Sequence, residues 1–536
     1  MAIDSYYSIA YLAIFLPAVV IAYTVFPKKA RWFVLLISSG IFFWSMSGKL
    51  LIWLIVSIFS IHYGGIYLSL LQKERDGKMA RAKAQQGGPS KKEIRKLYQK
   101  KQLAVAAAVA LFNVGILVFL KYTPFFGANM NRFLAWIKAP FSLNIPSFVV
   151  PIGISFYTLQ AVAYVMDVYR EKFPAERNIF RLALYMSFFP QLMEGPICRY
   201  PDTSGALWQG ERIQFENLVS GMQRIAFGMM KKLVIADRLN LFIKNVFTNY
   251  NQYDGGITAL AAVLYTCQLY MDFSGTMDIV LGTGEIFGVI LPENFRQPFF
   301  SKSISEFWQR WHITLGAWFK DYIFYPLSMT GPMKKLTSHG RKRLGNHYGP
   351  LTAGACGLFC VWLLNGLWHG AGWHYIFFGM YHFALILAGS LWEPAAAAIC
   401  RLLHIRRTSV PWKGVQIART AVLVCIGELF FRAHGLRAGL FMFFNIIWGF
   451  SLSSFGDGTV FNVGMDKKDF LIAFIGVLIV LVNSIMKEKG TRPRKWLADR
   501  PVVFRWALCY GLILFVVIFG AYGAGYVPLD PIYANF

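Results

Sequence analysis

A chain of 536 residues that is 56% hydrophobic and 17% aromatic cannot cover the polar surface that two to four soluble domains of this length would need. Its 54 Lys+Arg against 27 Asp+Glu give a net charge of +27, yet the basic residues sit in short segments between apolar blocks and form no recognisable RNA- or DNA-binding module, so no nucleic-acid partner is expected. Apolar blocks of about the 20 residues that cross a bilayer predict instead one all-α, polytopic membrane bundle.

In chain order, the first predicted span is Tyr7–Phe26, followed by Lys28, Lys29 and Arg31. Asp4 stands where a signal peptide would carry basic charge, and the apolar stretch is long enough to remain as a span. Trp32–Met46 and Leu50–Leu71 follow, joined by Ser47-Gly48-Lys49, and Gln72–Lys101 then reads as a strongly basic loop. Positive charge after the first and third spans places both segments in the cytoplasm and the N-terminus outside. Leu103–Leu120 runs outward to a charge-poor loop, Thr123–Ser147, and Phe148–Met166 returns to Arg170, Lys172, Arg177 and Arg181. Lys231-Lys232, Lys334–Arg343, Arg401–Arg407 and Lys487–Arg500 read as further cytoplasmic segments. Val503–Tyr522 is the last span and leaves a short outer tail, for about eleven crossings of the plasma membrane. The chain divides into N-terminal spans (1–121, with the basic loop 72–101), a core (148–436) and C-terminal spans (437–536).

Between Tyr185 and Ala384 the apolar blocks are broken by Pro, Gly, charge and His. Irregular backbone at membrane depth is tolerated only inside protein or around a water-filled cavity, so a site is expected here. The window Pro292–Leu327 is amphipathic: helical spacing puts Trp308, Trp311 and Leu315 on one stripe with His312 beside it, and Asp321 follows. An interfacial helix with an aromatic belt would look the same. In Leu363–His382, His369 lies in an apolar segment, preceded by Asn365, Gly366 and Trp368 and followed by Gly370 and Gly372. An imidazole at membrane depth with an unperturbed pKa of about 6.5 suits general-base work. His374 and His382 are weaker candidates. The i, i+5 spacing of His369 and His374 fits one helical face poorly and no Glu completes a metal motif, so no metal is expected. Asp272, Asp278, Glu194 and Arg199 are charged residues in apolar surroundings, where each costs roughly 2.5–3.5 kcal/mol to insert; they either support a site or pair between helices. Glu428 stands in similar surroundings. The seven cysteines lie in or beside apolar segments and read as packing residues.

Six motifs in order resemble the membrane-bound O-acyltransferase superfamily, in particular its bacterial alginate O-acetyltransferase-like branch. They are PIGISFYTLQAVAYVMDVYR (151–170), FFPQLMEGPICRY (188–200), YMDFSGTMDI (270–279), PENFRQPFFSKSISEFWQRWHITLGAWFKDYIFYPL (292–327), NGLWHGAGW (365–373) and ELFFRA (428–433). The resemblance implies a multi-helix bundle in which re-entrant helices line a central funnel. Its invariant histidine maps onto His369 and its more variable one onto His312; Asn365, Trp368, Trp311, Asp321, Asp272, Asp278, Glu194 and Arg199 would then support the site. Many relatives continue PLGGNR after the RWH helix, whereas this chain reads Pro326-Leu327-Ser328-Met329-Thr330-Gly331-Pro332, a change that touches local loop contacts. The implied reaction is acyl transfer, with no bound cofactor, from a cytoplasmic thioester such as acetyl-CoA. The acceptor would be an extracytoplasmic polysaccharide or an acetyl-relay protein. A D-alanyl transferase of teichoic acid is the alternative inside the superfamily. Outside it stand a transporter or flippase without covalent chemistry and a scaffold for an acetylation complex.

Overall fold

The computed structural model describes residue 3, residues 5–82 and residues 89–522. Asp4, the 83–88 part of the basic stretch and the tail after 522 lie outside the described residues. Among the described residues there is no strand, only an isolated antiparallel bridge between Phe295 and Trp311. Seven stretches are long and apolar enough to cross a membrane: Lys28–Arg81, Lys91–Trp136, Gly331–His369, Trp373–Leu402, Val410–Arg432, Lys467–Glu488 and Val502–Phe519. Ala10–Val25 and Leu436–Trp448 are shorter apolar helices. The chain is a polytopic helical membrane protein. The seven fall short of the eleven expected crossings because the middle of the chain is built from short segments, and because the first stretch holds two helices, Arg31–Ser47 and Leu51–Arg81.

The chain forms two compact units. The first comprises Met1–Leu218 with Gly284–Leu291. In it the helices Leu51–Arg81, Lys91–Trp136 and Ile154–Tyr169 pack on one another. Ser90 and Glu93 cap the second of these reciprocally: the Ser90 hydroxyl accepts from the Glu93 N–H, and the Glu93 carboxylate accepts from the Ser90 N–H. At 46 residues this helix is ~69 Å long, more than twice the ~30 Å hydrocarbon core. Two loop expectations are corrected by it. The described parts of Gln72–Lys101 are mostly helical rather than a loop, and Thr123–Ser147 is helical as far as Trp136. The reason is a buried face, Ile94, Tyr98, Gln102, Ala106, Asn113, Leu117 and Leu120, whose spacing keeps one helix in register through polar and apolar segments alike. Lys78 and Lys101 lie 5.4 and 5.3 Å from the Tyr98 ring, so part of the basic charge is spent on packing.

The second unit comprises Val219–Thr283 and Pro292–Phe536. Its central helix, Gly255–Ile286, crosses Phe215–Met229 through glycines. A Cβ on Gly275 would lie 2.8 Å from the Gly228 carbonyl oxygen, and one on Gly282 would lie 2.6 Å from that of Gly221. Each pair is two helical turns apart, so both contacts fall on one face. The chain then continues into a π-helical turn, Met230–Ala236. Here the expectation of a cytoplasmic Lys231-Lys232 loop is overturned. Lys231 is 6% exposed and Lys232 0%. Lys231 Nζ lies 2.6 Å from Asp278 Oδ2, and Lys232 Nζ lies 2.7 Å from Asp272 Oδ1 and 2.9 Å from Asp237 Oδ1. Arg224 Nε lies 2.9 Å from Asp278 Oδ1. Cations are buried here because acids neutralise them, Asp237 five residues after Lys232 and Asp272 and Asp278 on the following long helix.

The glycine crossing predicts a steric limit. Gly275→Val should destabilise the protein by about 1–3 kcal/mol or more, because the backbone on the far side cannot give way. Gly389, with open space around its Cβ position, is the control. Thermal unfolding in detergent should show a lower midpoint for Gly275→Val and little change for Gly389→Val. Equal midpoints would refute the close crossing.

Candidate functional site

The segment expected as one continuous helix is broken where it matters. Ile304–Arg310 ends at Trp311, which is extended (φ −111°, ψ 130°), and His312 adopts the left-handed conformation (φ 47°, ψ 51°) before Ile313–Phe319 begins. Left-handed backbone is uncommon outside glycine and needs compensation. It comes from the preceding strand-like segment. The Ile313 N–H donates to the Asn294 carbonyl at 3.0 Å, and the Arg296 N–H donates to the Arg310 carbonyl at 2.9 Å. Trp311 therefore does not share a stripe with Trp308 and Leu315. Its ring packs on Phe307, Phe295 and Tyr270, at centroid distances of 5.4, 5.1 and 5.9 Å. The kink sends the next side chain elsewhere. His312 is 3% exposed, with its ring 4.9 Å from Phe273 and 5.6 Å from Trp368. It lies outside the seven candidate spans, and burial pushes its imidazole down to about 3, so the ring is neutral at physiological pH.

His369 is the last residue of Gly331–His369, a helix kinked at Gly345. It is 6% exposed. Its ring lies 4.9 Å from Trp368, 5.2 Å from Phe431 and 6.1 Å from Phe378. The small residues around it do what their size allows. A Cβ on Gly366 would meet the Tyr375 carbonyl oxygen at 2.4 Å, and one on Gly379 would meet that of Trp362 at 2.3 Å, so the two helices bracketing His369 touch backbone to backbone. Asn365, 7% exposed, sits one turn before His369 on the same face. Both histidines thus reach the indole of Trp368 from segments more than fifty residues apart.

The other candidates divide by place. Asp272 and Asp278 are held by Lys232 and by Lys231 with Arg224, and so pair between helices. Asp321 is half-buried in the π-helical turn Lys320–Phe324. Glu194 (2% exposed) and Arg199 belong to the first unit, whereas both histidines belong to the second. Arg199 opens the helix Tyr200–Gln209, its N–H donating to Asp202 Oδ2 at 3.2 Å. His382 is fully buried, and its Nδ1 accepts from the Trp308 indole N–H at 3.2 Å, a structural use of the ring. His374 lies against Tyr375, with centroids 4.0 Å apart. Glu428, 2% exposed, is one turn before Phe431. Among the described residues, no group of three or more His, Cys, Asp or Glu is placed to hold a metal ion.

Sequence reasoning passed over Asn294. It is 1% exposed. Its Oδ1 lies 3.1 Å from the Thr314 backbone nitrogen, 3.0 Å from Thr314 Oγ1 and 3.3 Å from His312 Nδ1. Its signal was present in the PENF motif, which sets an amide between a carboxylate and an aromatic. A separate apolar cavity of about 310 Å³ is lined in part by Tyr270, Cys267 and Cys425, and its lining includes neither His312 nor His369.

A family model described as MBOAT, membrane-bound O-acyltransferase family, matches residues 173–341. The chain is 31% identical over 389 residues to the probable alginate O-acetylase AlgI of Pseudomonas putida, covering 71% of this chain and 72% of that protein. It is 32% identical to the peptidoglycan O-acetyltransferase of Helicobacter pylori, over 50% of this chain and 52% of that one. It is also 32% identical to the teichoic acid D-alanyltransferase of Bacillus subtilis, over 54% and 69%.

The ion pairs give a test that separates support of the fold from chemistry. Asp272→Asn leaves Lys232, fully buried, short of one carboxylate, and breaking such a pair costs about 3–5 kcal/mol. The yield of folded protein on size exclusion should fall, while turnover per folded molecule stays near wild type. A stable variant with lost turnover would return Asp272 to the reacting centre.

Proposed function

This chain belongs to the membrane-bound O-acyltransferase family, and from that membership we propose that it moves an acetyl group from a cytoplasmic thioester, acetyl-CoA or a similar donor, to a hydroxyl of an extracytoplasmic polysaccharide or to a relay protein that serves one. The observation that supports this reading best is the convergence of two buried imidazoles on one indole, that of Trp368. In the proposed step His369 takes the proton from the acceptor hydroxyl. The hydroxyl oxygen bonds to the thioester carbonyl carbon, the carbon–sulfur bond breaks, and the proton passes to the departing sulfur. His312 holds the acceptor by accepting a hydrogen bond from a second hydroxyl beside the one that reacts. The apolar rings around both histidines exclude bulk water, which would otherwise compete as acceptor.

The match to the Bacillus subtilis teichoic acid D-alanyltransferase favours a second reading, D-alanyl transfer. Mass analysis of cell-surface polymers with and without the protein decides between them: acetyl esters that disappear on deletion support the first, D-alanyl esters the second.

His369→Ala should abolish acylation in a protein that still inserts and folds, since a positioned base contributes about 10² to 10⁴ in rate. His312→Ala should lower the rate more than His339→Ala, which alters an exposed position. Wild-type acylation by a well-expressed His369→Ala variant would refute the assignment, and equal effects of the other two would remove His312 from it.

The direction of transfer rests on the N-terminus lying outside and the basic segment near residue 92 inside. A cysteine at the exposed Lys92, in a Cys356→Ser background because Cys356 is also exposed, should resist an impermeant thiol reagent in intact cells and react once they are opened. Labelling from outside would invert the sides of donor and acceptor.

A further inference from the structure

We infer that Asn294 is a positioning residue that fixes the tautomer of His312, keeping the proton on Nδ1 and the lone pair on Nε2. The inference rests on the role proposed above for His312 only in its catalytic consequence; the tautomer itself follows from the hydrogen bonds.

An asparagine amide presents an oxygen that accepts and a nitrogen that donates, and the two are told apart by what faces them. Here one neighbour is unambiguous. The backbone N–H of Thr314 can only donate, and it points at the Asn294 amide from 3.1 Å. The atom it meets is therefore oxygen. The other end of the amide agrees: Nδ2 lies 3.5 Å from the Met277 sulfur, a weak acceptor with no hydrogen of its own, where an amide oxygen would find no donor. With the amide so oriented, the atom 3.3 Å from His312 Nδ1 is Oδ1, which cannot donate. Nδ1 must carry the hydrogen. A neutral imidazole has only one, so the lone pair is on Nε2.

Asn294 also sets where the ring stands. Its backbone carbonyl takes the Ile313 N–H and its side-chain oxygen takes the Thr314 N–H, so one residue grips the two peptides that follow His312. The left-handed turn at His312 is held from that side, and Phe273 and Trp368 flank the imidazole. Three donors share one oxygen with two lone pairs, which accounts for the His312 contact being the longest of the three. The contrast with His382 is instructive. There the Trp308 indole N–H, also only a donor, faces Nδ1 and forces the opposite tautomer. Two histidines of one unit are thus set in opposite states, one by an amide that a backbone N–H orients and the other by an indole N–H. For His312 the outcome is a ring nitrogen able to accept a hydrogen bond from a hydroxyl. The other tautomer would present Nε2–H, which can only donate, and would turn the held hydroxyl the other way round.

The test uses full-length protein in lipid nanodiscs with ¹⁵N-labelled histidine, the His312 signals being assigned by their loss in His312→Gln. The expected spectrum places a protonated nitrogen at Nδ1 and an unprotonated one at Nε2 in wild type. Asn294→Asp, whose carboxylate still accepts, should keep that pattern and most of kcat. Asn294→Leu, which accepts nothing, should show mixed tautomers and a kcat lower by about 10²-fold, the cost of a misoriented acceptor. A proton on Nε2 of wild-type His312 overturns the inference, and so does an Asn294→Leu protein that keeps both the wild-type tautomer and the wild-type kcat. If Asn294→Leu does not fold, the wild-type spectrum alone decides. Full acylation by His312→Ala would remove the catalytic role of His312 and leave the tautomer as measured, so the two failures are distinguishable.

Discussion

Two adjacent lysines buried in an apolar interior are a constraint that the second unit must satisfy before anything else can be arranged. Lys231 and Lys232 can be there only if Asp278, Asp272 and Asp237 are there too, since an unpaired ammonium in such surroundings costs several kcal/mol. Satisfying both fixes how the π-helical turn lies along Gly255–Ile286, in rotation as well as in position. That helix carries Phe273, which walls one side of His312, and Met277, which faces the Asn294 amide. The glycine crossing a few residues earlier brings the two backbones close enough for the ion pairs to form. The position of His312 is therefore referred to a scaffold held by charge, one layer behind it.

His312 and His369 are presented in different ways. His312 depends on a local break: extended Trp311, left-handed His312 and the Phe295–Trp311 bridge turn an amphipathic run into two short helices with a corner between them. At that corner Trp311 and His312 are consecutive yet point into different clusters. His369 depends on a helix end. There the chain turns over at Gly370, and the next helix returns closely enough for backbone contacts at Gly366 and Gly379. A corner and a terminus both free backbone from the regular ladder, and both are places where a polar ring can be held among aromatic ones. Trp368 is where the two meet.

Membrane character, helical class and the approximate places of most long spans were legible in the sequence, because the length and polarity of an apolar block are properties of consecutive residues. That His369 and His312 would be buried rings was legible too, since an imidazole among tryptophans and glycines stands out without knowledge of its neighbours in space. Basic segments were less legible. Lys78 and Lys101 serve packing as well as charge, and Lys231-Lys232 looked like a cytoplasmic loop although it is core. Charge counts along a chain do not reveal which cations will meet an acid.

Membrane residence and helical class follow from the order of residues alone. Those facts depend on local composition and short-range order. Packing in three dimensions is what pairs Asp272 and Asp278 with buried lysines, holds the His382 ring on Trp308, and sets Asn294 against His312. Each of these is a matter of which donor faces which acceptor across separations of 18 to 74 residues. Hydrogen bonds and ion pairs act over about 3 Å and in fixed directions, so their partners are chosen by the packing of helices and not by order along the chain.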